Sequence, residues 1–221
     1  MDRQQLIADL LLAHRDTATL AVLLTGRTEV AGELVKQVMQ RAVGQWRSWP
    51  DDEAAPKDWF LHHTLLAGRR AVFVDDALPD PDALLEGLPP NPEYAAFLRA
   101  LRKLPFQQLE ALLLFDVLRL NARTTSVAMD MSTAATTHHL ETARATLRTL
   151  AADRYEPLLE NLRTFAQAHA PNDAQLLPQI HLTLRAQRQV QWLSHAKRAA
   201  LTLAAAALAW YALHRLGLSP F

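Results

Sequence analysis

The sequence predicts an all-α protein, and three observations carry that prediction. Half the residues are hydrophobic, dominated by Ala and Leu, and Gly is scarce at 6; these are residues that lose little on entering a helix. Apolar residues recur at spacings of three and four along most of the chain. The period-two alternation that marks strands is hard to find. The breaks between periodic stretches hold Gly, Pro, Asn and Asp, which end helices and build turns. A length of 221 residues allows one or two domains with real cores.

A first helix over residues 5–24 places Leu6, Leu10, Leu11, Ala13, Leu20, Leu23 and Leu24 at helical spacing, with Asp16 or Thr17 as a break or new N-cap. Gly26 follows as a C-terminal cap. A second helix over 29–46 steps Val30, Leu34, Val38 and Ala42 along one face. SWPDDEAAPKD reads as a loop with Pro50 and Pro56 as breakers. A third helix over 58–73 offers Trp59, Phe60, Leu65 and Leu66 to a core. The acidic stretch that follows holds Pro79, Pro81, Pro89, Pro90 and Pro92. No regular element tolerates so many prolines, so residues 74–93 form a semi-rigid linker between a domain at 1–73 and another at 94–150.

In the second domain Leu104-Pro105 opens a helix carrying Leu109, Leu112, Leu113 and Val117. Asn121 and Ala122 fall in a turn. A short helix around Ser126–Met129, a tight turn at Asp130–Met131 and Ser132 as N-cap of a helix to about Leu150 follow. Two helices joined so tightly make the helix-turn-helix pattern. Residues 151–198 extend the helical periodicity through Leu158, Leu159, Leu162 and Phe165, with a break at Pro171 and basic residues toward Lys197 and Arg198. The uncharged run Ala199–Leu213 spans only about 22 Å as a helix. Carried on to Leu218, with His214 and Arg215 snorkelling to the far interface, it reads as a single membrane tail anchor over 199–218.

Several functions are excluded. With no Cys there are no disulfides, thiolate metal sites or Cys nucleophiles, and the chain suits a reducing cytoplasm. Charges interrupt the N-terminal apolar run too early for a signal peptide. His62-His63 and His138-His139 are adjacent pairs, about 100° apart on a helix, and chelate poorly. No nucleotide loop, nucleophile elbow or carboxylate pair stands out, so the reading is of a binding protein without catalysis, metal or cofactor.

The stretch LRKLPFQQLEALLLFDVLRLNARTTSVAMDMSTAATTHHLETARATLRTL resembles the region-four helix-turn-helix of ECF-type sigma factors. Leu104-Pro105, Glu110, Leu114, Val127-Ala128, Ser132, Leu140, Ala143, Arg144 and Leu147 fall in the family register. In the first half, RTEVAGELVKQVMQRAVGQW is similar to the region-two helix that docks on the polymerase clamp, and Trp59 to Arg69-Arg70 resembles the promoter-melting helix. The resemblance implies core RNA polymerase and double-stranded promoter DNA as partners, with an anti-sigma protein as a regulator; the C-terminal run, with Lys197 and Arg198 ahead of it, would tether a cytoplasmic protein to the inner membrane. Glu33, Lys36, Gln37, Gln40 and Arg41 would face the polymerase. Trp59 would stack on an unpaired base, a contact worth about 1–3 kcal/mol, or else serve the core as large aromatics do. Arg69 and Arg70 would contact phosphates. Ser132, Thr133, Thr136, Thr137, His138, His139 and Arg144 would meet the major groove. A formal net charge of zero and a recognition helix poor in cations favour an alternative: a sigma-like regulator or protein-binding module that no longer reads promoters.

Overall fold

All residues that a computed structural model of the chain describes in regular elements are helical. The described residues are 3–45, 55–74, 92–171 and 176–215. In order the elements are α1 (Arg3–Thr25), α2 (Thr28–Gln45), α3 (Ala55–Val74), α4 (Pro92–Arg102), α5 (Phe106–Leu112) running into a π-helical turn at Leu113–Val117, α6 (Ala122–Met129), α7 (Thr133–Ala151), a 3-10 turn at Ala152–Arg154, α8 (Tyr155–Ala168) and α9 (Leu176–Arg215). The all-α prediction holds.

The first half is a three-helix arrangement in which α1 packs on α2 and α3. The break expected at Asp16 or Thr17 does not occur. Thr17 is buried in the core, and Asp16 pairs with Lys57 of α3 at 2.8 Å. Other threonines of α1 satisfy their hydroxyls inside the helix: Thr19 donates to the Arg15 carbonyl and Thr25 to that of Ala21, the back-bond that lets Thr sit in a helix. Gly26 ends α1 as expected, at φ 69, with its N–H on the Val22 carbonyl at 2.7 Å. Pro56 lies in the first turn of α3 instead of breaking it, because a helix needs no internal N–H there. Gly68 lets α3 approach α1 closely: a Cβ there would sit 2.7 Å from Leu24 Cδ1.

In the second half α6 starts at Ala122, ahead of the expected Ser126. Its N-cap is Asn121, whose side-chain oxygen accepts from the Thr124 N–H at 2.8 Å. Asp130 follows in the left-handed region at φ 55. The Met131 N–H reaches the Ser126 carbonyl at 3.0 Å and Asp130 N–H that of Val127 at 3.1 Å, a pattern that closes a helix on a left-handed residue. Ser132 caps α7 through the Ala135 N–H. Helix α8 inserts Tyr155, Leu158, Leu159, Leu162 and Phe165 into the core, so it packs with the preceding helices.

The described residues up to Leu176 form one compact unit and those from Leu177 a second. The expected linker lies almost wholly outside the described residues, but the two halves it joins meet directly. Helix α3 packs on α6 and α1 on α8. His62 Nδ1 donates to the Ala128 carbonyl at 2.9 Å, and Arg102 Nη1 to that of Leu24 at 3.0 Å. In the second unit, α9 runs from Leu176 to Arg215. No helix among the described residues is long and apolar enough to cross a membrane. The anchor expected over 199–218 therefore finds no support in α9: its uncharged run is rich in Ala, which adds little to membrane transfer, and polar residues bound it. Residues 216–218 lie outside the described ones.

Candidate functional site

Helix α2 buries Ala31, Leu34, Val35, Val38 and Met39, which turns Glu33, Gln37, Gln40 and Arg41 to the exposed side. Lys36 is half-buried and bonds Glu33 at 3.2 Å, an i,i+3 pair on its own helix. Glu33, Gln37 and Arg41 line a groove of about 390 Å³ against His63, Leu66 and Arg70 of α3. The structure thus brings residues expected to face polymerase together with Arg70, expected on DNA.

His63, half-buried, lines this groove. Burial first, then Arg41, His62 and Arg70, lower its pKa from 6.5 to about 4, so the imidazole is neutral at physiological pH. Its ring lies against Trp59 with centroids 4.0 Å apart, and Trp59 also meets Phe60 edge-on at 5.3 Å. Trp59 is half-buried in this aromatic cluster, closer to the core alternative than to an open stacking platform. Arg69 and Arg70 part company: Arg70 is exposed on the groove, whereas Arg69 turns inward to Glu110 of α5.

On α7, Ser132, Thr133, Thr137 and His138 are exposed and His139 is half-buried. Thr136 is buried, with its hydroxyl on the Ser132 carbonyl at 3.1 Å; it belongs to the inward face. Thr137 spends its proton on the Thr133 carbonyl. Arg144 makes two bonds to Asp116, at 3.0 and 2.6 Å, and one to Glu141 at 2.7 Å, and it stacks over Phe115. Its guanidinium organises the core of the second half.

The buried acids Glu110 and Asp116 are the residues whose roles the sequence leaves least legible. Glu110 matched the family register, yet its role depends on Arg69 from the other half. Asp116 is aimed by the π-helical turn toward α7 and α8, where Tyr155 also donates to it at 2.8 Å. Their signal in the sequence was one of context: two acids inside the apolar run LEALLLFDV. Among the described residues no cluster of three potential metal ligands occurs.

No protein-family model matches this sequence, and no curated protein matches it. In three dimensions it is similar to a solved structure, the sigma factor RpoE in complex with the anti-sigma factor NepR from Bartonella quintana. The likeness has a TM-score of 0.51 at 19% identity and covers 68% of this chain and 99% of that one. The fold is sigma-factor-like. At this identity the likeness concerns the fold, and it agrees with the family register seen in both halves of the sequence.

Proposed function

We propose that this protein acts in the cytoplasm as a sigma-factor-like transcription protein that binds core RNA polymerase and promoter DNA, without catalysing a reaction. The observation that carries the reading is the sigma-factor-like fold together with family-register residues on α2, α3 and α5–α7 in the expected order. The groove edge formed by Glu33, Gln37 and Arg41, with Lys36 and Gln40 beside it, would meet the polymerase. Arg70 and the exposed start of α7, with Ser132, Thr133, Thr137 and His138, would meet DNA. An anti-sigma protein is a partner of the same kind as the one in the similar structure.

A second reading has its own support. Arg144 is engaged by Asp116, so the exposed start of α7 offers hydroxyls and imidazoles and no Lys or Arg. Each phosphate contact steepens the salt dependence of log K by about 0.9. A helix with so few cations suits a regulator that retains polymerase or protein binding and reads DNA weakly. The deciding experiment is binding of the full chain to core RNA polymerase, followed by run-off transcription. Saturable stoichiometric binding with specific initiation supports the first reading. Binding without initiation on any promoter supports the second. A folded chain that does not bind polymerase defeats the proposal that it works there.

A further inference from the structure

Helix α7 buries Thr136, Leu140, Ala143 and Leu147. Ala134, Thr137, His138 and Glu141 therefore fall on its outward side, and all four are exposed, as is Thr133 ahead of them. The chemistry left free on this surface decides what it can read if α7 enters DNA, and the inference below rests on that reading of α7.

The threonine hydroxyl protons here are already committed. Thr137 donates its proton to the Thr133 carbonyl at 2.9 Å. Ser126 of α6 donates its own to the Arg123 carbonyl at 2.8 Å. In the 3.3 Å contact between Ser126 Oγ and Thr133 Oγ1, the proton is therefore that of Thr133, since a hydroxyl has one to give. Phosphate oxygens only accept, so neither threonine has a proton left for one. Both keep a methyl group on an exposed side chain, and Ala134 adds another. Glu141, two turns along from Ala134, is held by Arg144 at 2.7 Å.

Guanine is read by the donors of Arg or Lys, and adenine by the amide of Asn or Gln. Residues 132–141, STAATTHHLE, contain none of these. An imidazole N–H from His138 can meet a purine N7, but A and G both carry that acceptor. Thymine differs, because its 5-methyl group in the major groove is read by apolar contact with Ala or with the methyl of Thr. We propose that the start of α7 reads thymine through the methyl groups of Thr133, Ala134 and Thr137, and not through their hydroxyls. Such a contact excludes water from apolar surface and involves no charge, which suits a helix start without cations. Its discrimination between bases should persist at high salt, where phosphate contacts fade.

The test selects duplexes from a random DNA pool with the full chain, alone and together with core RNA polymerase. Each thymine of an enriched duplex is then replaced by deoxyuridine, which removes the methyl and nothing else. The proposal expects binding to weaken about fourfold for each contacted methyl, the value of burying one such group, equally at low and high salt. Thr137→Ser keeps the hydroxyl and deletes the methyl, so thymine and deoxyuridine should bind alike at one of these positions. Thr137→Val keeps a methyl and deletes the hydroxyl, so the discrimination should survive. Enriched duplexes that bind equally with thymine and deoxyuridine at every position would overturn this inference and leave DNA binding standing. Loss of discrimination in Thr137→Val together with its retention in Thr137→Ser would also overturn it, by making the hydroxyl the reader. Enrichment of no duplex, with or without polymerase, would overturn the DNA reading of α7 and this inference with it.

Discussion

Arg69 of α3 holds Glu110 of α5 with two parallel hydrogen bonds, Nε to Oε1 at 2.6 Å and Nη2 to Oε2 at 2.5 Å. Glu110 has no solvent exposure, and among the described residues the charge that balances it across this contact is supplied by the other half of the protein. Arg69→Ala leaves a buried carboxylate unpaired and should cost about 3–5 kcal/mol in urea unfolding. The pair replacement Arg69→Met with Glu110→Leu should recover most of that loss, because it removes both desolvation penalties at once. A single replacement that costs under about 0.5 kcal/mol, the range of ordinary surface changes, would show that the halves do not dock through this pair.

The Asp116 carboxylate gathers Arg144 and Tyr155 around itself. Tyr155→Phe deletes a hydrogen bond to a charged acceptor in the core and should destabilise by about 1.5–3 kcal/mol. Arg144→Ala should cost more, because it strips Asp116 of its counter-charge. The same substitution separates structure from DNA reading. If Arg144 mainly contacted DNA, calorimetric stability would hold while promoter affinity fell; the geometry predicts the loss of stability.

Asp130 occupies the left-handed region, at φ 55, between α6 and α7. A non-glycine residue there carries a penalty of about 1–2 kcal/mol, partly offset because glycine loses more entropy on folding. Asp130→Gly should therefore raise stability by about 0.5–1 kcal/mol, measured as a higher denaturation midpoint with an unchanged slope. A drop in the midpoint would mean that the Asp side chain contributes to the turn in a way its backbone does not reveal.

His63 is kept neutral by burial and by Arg41, His62 and Arg70, with its pKa lowered to about 4 from 6.5. The unfolded chain takes up this proton first as the solution is acidified. The stability that this group contributes is present above pH 6.5 and is lost as pH falls from there toward 4. Unfolding measured across that window should show a steeper decline for the native chain than for His63→Gln. The variant's baseline will be lower, since the ring also packs on Trp59, so the slope and not the level is the readout. Parallel slopes would acquit His63.

What the sequence determined by itself is the set of local decisions. The helical class, Gly26 as the cap of α1, the tight turn at Asp130 and Ser132 as the N-cap of α7 each follow from periodicity or from the chemistry of one residue on its nearest backbone. Asn121 was open to the same argument, since it is a strong N-cap, but its place beside a turn hid the start of α6. What only the tertiary structure decided is the partnership of charges distant in sequence. Arg69 and Arg70 are indistinguishable as adjacent cations, and a groove claims one while Glu110 claims the other. Thr17 carries the signal of a cap, and burial makes it part of an unbroken helix. Arg144 reads as a recognition-helix cation until a π-helical turn aims Asp116 at it. The physical reason is common to all three. Helix propensity and capping act over a few residues, whereas the cost of burying a charge is settled by whichever opposite charge the fold brings within reach.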